Sequence, residues 1–290
     1  AVRDKRIHPL KDDKILTDWN GLMISSLARG SRVFGNDTYV QAARNAADFI
    51  VYEMTLEDGS LLHMYREGEA SIEGNLDDYA FFIQGLIDLY QATFDLKYLE
   101  KAVSLTEKML EDFLDDDEGG FYLTSDGNDE LPIRQKKSAD GALPSANSAA
   151  FGNFLRLSWL TGNTEYLNHG LNIGKNFSRF LKQAPEGHSM MLAWHELLLA
   201  EPVEVIVVGN KKAEDTKNIL SELDKLYVPG MVILVKDSET GDSALEKIAP
   251  FTEGYGIIGG KATVYVCRNF VCNLPTNDIE EMLSQIVTSR

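Results

Sequence analysis

Three segments of the chain repeat the same order of a turn, a tyrosine and an apolar pattern with helical period. The tyrosines are Tyr39, Tyr98 and Tyr166, about sixty to seventy residues apart, which suits a helix pair plus a connecting segment. In the middle copy, apolar residues recur at three- and four-residue steps over positions 98–113, with Lys and Glu opposite. This pattern predicts a surface helix with one buried stripe, and the repeat predicts three helical hairpins.

The helices that precede these tyrosines have a different pattern. The sequences DYAFFIQGLIDLYQATF and SANSAAFGNFLRLSWL are apolar around most of their circumference, which is typical of helices buried on more than one side. Alternating buried and half-buried helices predict an (α/α) toroid, in which an outer ring surrounds an inner ring. Between the hairpins, DGSLLHMYREGEASIEG and EGGFYLTSDGNDELPIRQ alternate and contain turn residues, which predicts short β-hairpins over the starts of the inner helices.

The pattern changes near Pro202. EVIVVG, MVILVKD and ATVYVCR are strand candidates, whereas KKAEDTKNILSELDKL and TNDIEEMLSQIV have helical character. This order predicts a small α/β unit with a parallel or mixed sheet of about three strands. We therefore expect a mainly α protein, with a helical-hairpin toroid segment over residues 1–200 and a small α/β unit over residues 201–290.

Composition restricts the partners and the cellular setting. The chain has 290 residues and a formal net charge of −17, which argues against nucleic acid because phosphate binding needs clustered Lys and Arg. No apolar run is long enough to span a bilayer, and the first residues lack the apolar core of a signal peptide. Two cysteines are too few for a disulfide-stapled secreted fold. These features predict a cytoplasmic protein that binds neither nucleic acid nor membranes.

The two cysteines share one short stretch, CRNFVC. Four residues separate Cys267 from Cys272, whereas a standard thiol–disulfide motif has two. The sequence therefore leaves open whether the pair forms a disulfide.

Polar residues, twice with an aromatic neighbour, mark the starts of the predicted inner helices. The candidate ligand-binding residues there are Asp18, Trp19, Asn20, Asp77, Tyr79 and Asn147. Helix capping explains one polar residue per helix. Clusters that include Trp and Tyr also fit a polyhydroxylated ligand, because rings stack on C–H faces while carboxylates and amides bind hydroxyl groups. Capping with packing, and a carbohydrate-binding pocket, both remain open.

Other titratable residues are candidates for proton transfer. Asp77 and Asp78 are adjacent and point in different directions, so one caps the helix while the other either projects into the cavity or is simply solvated. Asp78 is the candidate catalytic carboxylate. His195 is the candidate proton carrier, with a packed histidine as the alternative. Arg66 shares the first predicted β-hairpin with His63 and is a candidate ligand-binding cation. No HExxH motif or His/Cys cluster appears, so we expect no metal and no cofactor.

Five ordered stretches resemble a known family: DDKILTDWNGLMISSLAR, NLDDYAFFIQGLIDLYQATFD, DGALPSANSAAFGNFLRLSWLTG, PVEVIVVG and VYVCRNFVCNLPT. They resemble the C-terminal half of the YyaL-like, thioredoxin-domain-containing family, related to the spermatogenesis-associated thioredoxin-fused proteins. The resemblance covers nearly the whole chain. It implies part of an (α/α)6 toroid similar to N-acylglucosamine 2-epimerases and six-hairpin glycosidases.

The same resemblance implies partners and a function. Family members carry an N-terminal thioredoxin-like domain and earlier toroid hairpins, whereas this sequence begins near the family's DDK motif. We therefore expect an incomplete ring with an exposed apolar flank, covered by such a partner or by self-association. The epimerase analogy implies an acid/base pair of histidines and an arginine, for which His195 or His188 and Arg66 are the candidates. The expected function is a carbohydrate-active or carbohydrate-binding toroid, a sugar 2-epimerase or glycoside hydrolase if catalytic. The alternative is a non-catalytic ligand- or partner-binding module that works with a thioredoxin-like domain.

Overall fold

The computed structural model describes residues 2–8, 11–126, 133–239 and 243–287. Three helical hairpins and one further helix form its first part. The helices are α1 (Thr17–Phe34), α2 (Asp37–Glu53), α3 (Leu76–Thr93), α4 (Leu96–Phe113), α5 (Ala146–Thr161), α6 (Thr164–Gln183) and α7 (Ser189–Leu199).

The helices form two layers. Helices α1, α3, α5 and α7 pack side by side in an inner row, and α2, α4 and α6 each pack on the outside of their hairpin partner. Helix α5 is buried along its whole length and α3 along most of it, whereas α4 buries only the stripe that its sequence predicts. The prediction of alternating buried and half-buried helices is confirmed.

The repeated tyrosines hold equivalent positions. Tyr39, Tyr98 and Tyr166 are each the third residue of an outer helix. Tyr98 and Tyr166 are buried, while Tyr39 is partly exposed on the first hairpin. The predicted helical repeat is therefore confirmed, and the first hairpin lies at one end of the inner row.

Two glycines allow close contact between α1 and α3. A Cβ atom on Gly21 would lie 2.5 Å from the carbonyl carbon of Phe81, and one on Gly85 would lie 2.7 Å from the carbonyl oxygen of Gly21. Any larger side chain would therefore push the helices apart. This close approach brings the start of α1 next to the start of α3.

A small antiparallel sheet lies over these helix starts. Its strands are β1 (Ile15–Leu16), β2 (Leu62–Arg66) and β3 (Glu69–Glu73), in the order β1-β2-β3. Strand β1 leads directly into α1, and β3 ends just before α3, so the sheet is fixed to both helices. The first predicted β-hairpin is confirmed.

The second predicted β-hairpin, over residues 118–135, differs from the expectation. Within its described residues the structure shows an isolated bridge between Leu114 and Phe121 instead of a strand pair. Gly119 and Gly120 have positive φ angles, and Asp115 accepts hydrogen bonds from the next backbone amides, so the chain turns too tightly for an extended ladder. Residues 127–132 of this prediction lie outside the described residues.

The last part of the chain is a small α/β unit. It contains β4 (Val203–Gly209), α8 (Glu214–Asp224), β5 (Met231–Asp237), α9 (Ser243–Ile248), β6 (Thr263–Arg268), β7 (Val271–Cys272) and α10 (Ile279–Val287). The strand order is β5-β4-β6-β7, with β4 and β5 parallel and the other pairs antiparallel. The predicted mixed sheet is confirmed, with β7 as a short additional strand.

The α/β unit closes one end of the inner row. Val205 and Val207 of β4 pack in a core with α8 and α10, whereas Ile206 and Val208 join the core of the helical part. Gln91, in the last turn of α3, forms two hydrogen bonds of 2.7 and 2.9 Å with the backbone of β5. The C-terminal ends of the inner helices are therefore attached to the sheet.

Large apolar side chains are exposed on the first hairpin. Met23, Val33, Phe34 and Tyr52 are each more than half exposed. The exposed apolar residues that the sequence predicts are present, and the identity of what covers them remains a prediction. Over the described residues, none of the helices combines the length and the apolar character needed to cross a membrane.

Candidate functional site

Three titratable side chains meet where β2 and the starts of α1 and α3 come together. His63 Nδ1 lies 2.9 and 3.0 Å from the two carboxylate oxygens of Asp78. The backbone amide of Asp18 donates a hydrogen bond of 3.0 Å to Asp78 Oδ1. Asp18, His63 and Asp78 are called the acid–base cluster below.

The local sequence fixes Asp78 firmly. Asn75 is the N-cap of α3, and its side chain accepts a hydrogen bond from the amide of Asp77 at 2.9 Å. Asp78, three residues after the cap, returns the contact by accepting from the Asn75 amide at 2.9 Å, which completes a capping box. Asp78 is fully buried, whereas the side chain of His63 is 23% exposed. The arrangement is therefore a rigid carboxylate that orients an accessible imidazole.

The pKa values of His63, Asp18 and the adjacent Asp77 are all raised. The hydrogen bond to Asp78 raises the pKa of His63, against the opposing effect of burial. Burial, and then the negative charge of Asp78, raise the pKa of Asp18. Burial, followed by the charges of Asp18 and Asp78, raises the pKa of Asp77. Groups whose protonation is shifted toward neutral pH are suited to acid–base chemistry.

One ring nitrogen of His63 is left for a ligand. Asp78 engages Nδ1, which favours the tautomer or protonation state with hydrogen on that atom. The nitrogen that can exchange a proton with a bound molecule is therefore Nε2.

A cavity of about 260 Å³ lies at the starts of α3 and α5, and Asp77, the residue before Asp78, is part of its lining, whereas Asp18, His63 and Asp78 are not. Asp77, Lys137 and Asn147 are among its polar lining residues, and Leu76 and Ala146 contribute apolar surface. The positive charge of Lys137 partly offsets the factors that raise the pKa of Asp77. The cavity thus combines a carboxyl group, a cation and an apolar wall.

The structure brings Asp18, Asp77 and Asp78 together, and Trp19 and Asn20 lie beside them. Helix α1 has no side-chain cap: Asp18 accepts from the amide of Trp19 at 2.7 Å, within the first turn. The Trp19 side chain is 60% exposed. Asn20 donates a hydrogen bond of 2.8 Å to the carbonyl oxygen of Leu16. Of these, Trp19 offers a free surface to a ligand.

Of the predicted ligand-binding residues, only Asp77 and Asn147 line the cavity, and Tyr79 and Arg66 are engaged elsewhere. The ring of Tyr79 is buried against Phe113, and its hydroxyl oxygen accepts from the amide of Leu61 at 2.9 Å. The guanidinium Nε of Arg66 lies 2.9 Å from the carboxylate of Asp13. Tyr79 points into the core because it follows Asp78 by one residue on the helix, and Arg66 stands at the opposite end of β2 from His63.

Asn147 lines the cavity, but its side-chain amide is occupied. Its oxygen accepts from the amide of Phe121 at 2.9 Å, and its nitrogen donates to the carbonyl oxygens of Phe121 and Lys137 at 3.0 Å. Asn147 therefore holds two segments of the connection before α5 in place. It shapes the cavity wall through these contacts.

His195 packs against aromatic and helical neighbours. Its ring centre lies 4.8 Å from that of Phe151, and it packs so closely on α6 that a Cβ atom on Gly174 would be 2.7 Å from its ring. Burial lowers its pKa. His195 has the environment of the packed histidine that the sequence offered as the alternative, and the structure places His63 beside Asp78.

Sequence reasoning placed His63 in a β-hairpin but left it out of the site. A usable signal was the hairpin's position, since a short hairpin that ends just before α3 must return close to the first turn of that helix. The capping-box spacing from Asn75 to Asp78 then identifies which carboxylate lies there.

The cluster also has the composition of a cation site. Its three side chains each offer one ligand atom, and these atoms lie within 4.8 Å of one another. However, the two oxygens of Asp78 already accept from His63 and from the amides of Asp18 and Asn75. A cation would have to displace these donors, so the observed contacts fit an oriented histidine better.

No protein-family profile matches the chain. It is 31% identical to human spermatogenesis-associated protein 20 over 287 residues, which is 96% of this chain and 36% of that protein. It is 29% identical to an uncharacterized protein of Caenorhabditis elegans over 291 residues, which is 97% of this chain and 39% of that protein. The chain thus spans little more than a third of the length of the curated relatives it matches.

Among solved structures, the cellobiose 2-epimerase from Bacillus thermoamylovorans B4167 is similar, with a TM-score of 0.50 and 16% identity. The similarity covers 59% of this chain and 46% of the epimerase chain. At this identity it shows the fold alone, and it confirms the predicted (α/α)6 toroid segment, while the structure itself shows the small α/β unit that follows. The chain is similar in sequence to about a third of spermatogenesis-associated protein 20, and it carries part of such a toroid.

Proposed function

We propose that this chain provides the acid–base site of a carbohydrate-acting toroid, in which His63 transfers a proton to or from a bound sugar. The observation that carries the proposal is the contact of His63 Nδ1 with both oxygens of the buried Asp78, close enough to Asp77 to influence its pKa, and Asp77 lines a cavity. Asp78 acts as a positioning residue because it fixes the imidazole and touches no ligand itself.

The proposed reaction class is 2-epimerisation. Neutral His63 would remove the proton from the carbon next to the sugar carbonyl through Nε2, while an acidic partner supplies a proton to the carbonyl oxygen. The resulting enediol would then regain a proton at that carbon on the opposite face, from a second acid or from solvent, as the carbonyl oxygen gives its proton back. Asp18 and Asp77 suit that second role because their pKa values are raised and a larger fraction stays protonated. In this proposal the exposed ring of Trp19 stacks on a sugar face.

Similarity in fold supports the substrate class without establishing it. The similar solved structure is named as an epimerase of cellobiose, a disaccharide. Glycoside hydrolysis is the second reaction class, since the charge of Asp18 helps to raise the pKa of Asp77, and two neighbouring carboxyl groups could divide acid and nucleophile roles. The stereochemistry of any product distinguishes the two.

The setting and the partners are also part of the proposal. We propose that the protein acts in the cytoplasm and that a thioredoxin-like domain, or a second copy of the chain, covers the exposed apolar residues of α1 and α2. The support is the resemblance of the ordered sequence motifs and the exposure of Met23, Val33 and Phe34.

Deuterium exchange at sugar C2 tests the proposal. The chain is incubated with cellobiose, glucose or N-acetylglucosamine in D₂O, and the sugar is followed by proton NMR. We expect exchange by the wild type, a loss of about 10²–10⁴-fold in His63→Gln from removal of the general base, and near-normal exchange in the matched control His195→Gln.

Three other outcomes contradict parts of the proposal. Normal exchange in His63→Gln together with loss in His195→Gln would transfer the role to His195. Release of reducing sugar without exchange would replace epimerisation by hydrolysis. Sugar-dependent thermal stabilisation with no turnover would leave the non-catalytic binding module as the function.

A further inference from the structure

A disulfide between Cys267 and Cys272 closes the hairpin formed by β6 and β7. The two-residue turn consists of Asn269 and Phe270, both with positive φ angles, as a tight hairpin turn requires. Cys267 is buried, while Cys272 is partly exposed. One sulfur is thus accessible from outside and the other lies beneath it.

A buried glutamate stands next to the buried sulfur. Glu204 of β4 pairs in register with Cys267 of β6, so their side chains are neighbours on one face of the sheet. Glu204 is fully buried, and its Oε2 accepts from the amide of Phe270 at 3.4 Å. Its Oε1 is buried without a hydrogen-bond partner among the residues that the structure describes. A buried carboxyl group left half-satisfied is costly and calls for a function.

A tyrosine approaches the other sulfur. The hydroxyl group of Tyr255 lies 3.1 Å from Cys272 Sγ, and its ring stacks on Tyr265 with 4.4 Å between ring centres. Both sulfurs of the disulfide therefore have an adjacent group that can carry a proton.

The electrostatic surroundings keep Glu204 partly protonated near neutral pH. Burial raises its pKa to about 7, against the opposing effects of the Phe270 and Asn269 amides and of the Arg268 charge. The guanidinium of Arg268 is engaged by the carbonyl oxygen of Ile286. The pKa of Tyr255 is raised by burial and also by the negative charge of Glu204.

We propose that the Cys267–Cys272 pair is a thiol–disulfide exchange site that a protein dithiol reduces, with Glu204 as the proton donor to the leaving sulfur. A thiolate of the dithiol attacks Cys272 Sγ, the S–S bond breaks, and Cys267 leaves as a thiolate that takes the Glu204 proton. The second thiolate of the dithiol then attacks the other dithiol sulfur, which is bonded to Cys272 in the mixed disulfide. This step releases Cys272, which accepts a proton from Tyr255 or solvent. The dithiol loses two electrons, the cystine gains two, and solvent returns the protons.

The surface around Cys272 favours a protein over a small thiol. Val271 and Leu274 on either side of it are 77% and 82% exposed. Exposed apolar residues next to a reactive sulfur give a partner protein a surface to bind. The net charge of −17 disfavours glutathione, which is anionic.

Kinetics of disulfide reduction test this proposal. The oxidised chain is mixed with reduced thioredoxin as the protein dithiol, quenched in acid and alkylated, and the two added labels are measured by mass spectrometry. At pH 6 we expect Glu204→Gln to be reduced at least roughly tenfold more slowly than the wild type, because a general acid is lost. The matched control Glu214→Gln, an exposed acidic residue of the same unit, keeps the wild-type rate.

The pH dependence gives a second reading of the same role. The ratio of wild-type to Glu204→Gln rates is largest below pH 7, where Glu204 holds its proton, and approaches one above it. If Glu204→Gln does not fold, Tyr255→Phe keeps the stacked ring, and we expect it to slow reduction roughly threefold through one lost hydrogen bond.

Other results overturn the proposal. Equal rates for Glu204→Gln and wild type at pH 6 would show that Glu204 takes no part. Two free thiols in the protein isolated without reductant would show that the disulfide does not form. Faster reduction by glutathione than by thioredoxin, at equal thiol concentration, would contradict a protein dithiol as the partner.

Discussion

Helix α3 carries a buried aspartate near each end, and the two differ in their partners. Asp78, in the first turn, contacts one histidine. Asp88, toward the other end, contacts two arginines: its Oδ1 lies 2.6 Å from Arg156 Nη2 and its Oδ2 lies 3.0 Å from Arg29 Nε. The same side chain on the same helix thus belongs to two different kinds of site.

The partner decides which end can exchange protons. Burial raises the pKa of Asp88, but the charges of Arg156 and Arg29 outweigh it, so the pKa lies below its ordinary value. Arginine stays charged at every relevant pH, so this end is a permanent ion cluster. Histidine titrates near neutrality, so the end with Asp78 can change its charge. Gln91 joins the Asp88 end to the α/β unit, and Asp88, Gln91 and Arg156 are among the residues that line a cavity of about 360 Å³ there. At the other end, Asp77, next to Asp78, lines a cavity of about 260 Å³.

The largest expected effect on stability is at Asp88. Asp88→Asn leaves Arg156 buried without its counter-charge, and we expect the free energy of unfolding to fall by about 3–5 kcal/mol. Urea unfolding followed by circular dichroism measures this change. A loss below that of Asp78→Asn would contradict the assignment of Asp88 to structure.

A smaller loss of stability is expected at Asp78. Asp78→Asn keeps an oxygen for the Asn75 amide but loses the charged contact with His63, so we expect a loss of about 1–2 kcal/mol. The matched control Asp77→Asn should be no less stable than wild type at pH 7, because burial and neighbouring charges disfavour ionised Asp77. Equal losses in both variants would contradict a specific role for Asp78 in the cap.

The contribution of His63 to stability depends on pH. Because its pKa is raised in the folded protein, the His63–Asp78 contact stabilises fully below the ordinary value of 6.5 and is lost as pH rises through the raised pKa. The stability difference between wild type and His63→Gln should therefore shrink from pH 6 to pH 8. A difference that grows over this range would mean that the neutral imidazole is the stabilised form.

The smallest effect on stability is expected for Trp19→Ala. The side chain is 60% exposed, so we expect a change within about 0.5 kcal/mol. Sugar affinity should nevertheless fall if the ring stacks on the ligand. Thermal shift with and without cellobiose separates the two effects, and unchanged sugar binding would exclude Trp19 from the site.

The sequence predicted the helices better than the contacts between their ends. Hydrophobic periodicity located the outer-helix stripe from Tyr98 to Phe113 and the buried α5, because burial of an apolar face dictates that pattern. It also predicted the mixed sheet from short β-branched runs. Periodicity along one helix carries no information on which loop reaches its first turn, so the contact of His63 with Asp78 was not foreseen.

The sequence also did not predict the direction in which individual side chains point. Asp78 and Tyr79 are adjacent, yet one binds His63 and the other packs on Phe113. Asn147 has a polar side chain at a helix start, but two nearby backbone segments occupy it. The pairing of Glu204 with Cys267 depends on strand register across more than sixty residues, which a single sequence does not specify.

The pKa of His63 tests the central claim most directly. Proton NMR titration of the histidine ring signals, assigned by comparison with His63→Gln, measures it in the wild type and in Asp78→Asn. We expect His63 to titrate above its ordinary value of 6.5 in the wild type and to fall toward that value in Asp78→Asn, while His195 titrates below it in both. A His63 that titrates at or below 6.5 and does not respond to Asp78→Asn would contradict an oriented histidine at this site.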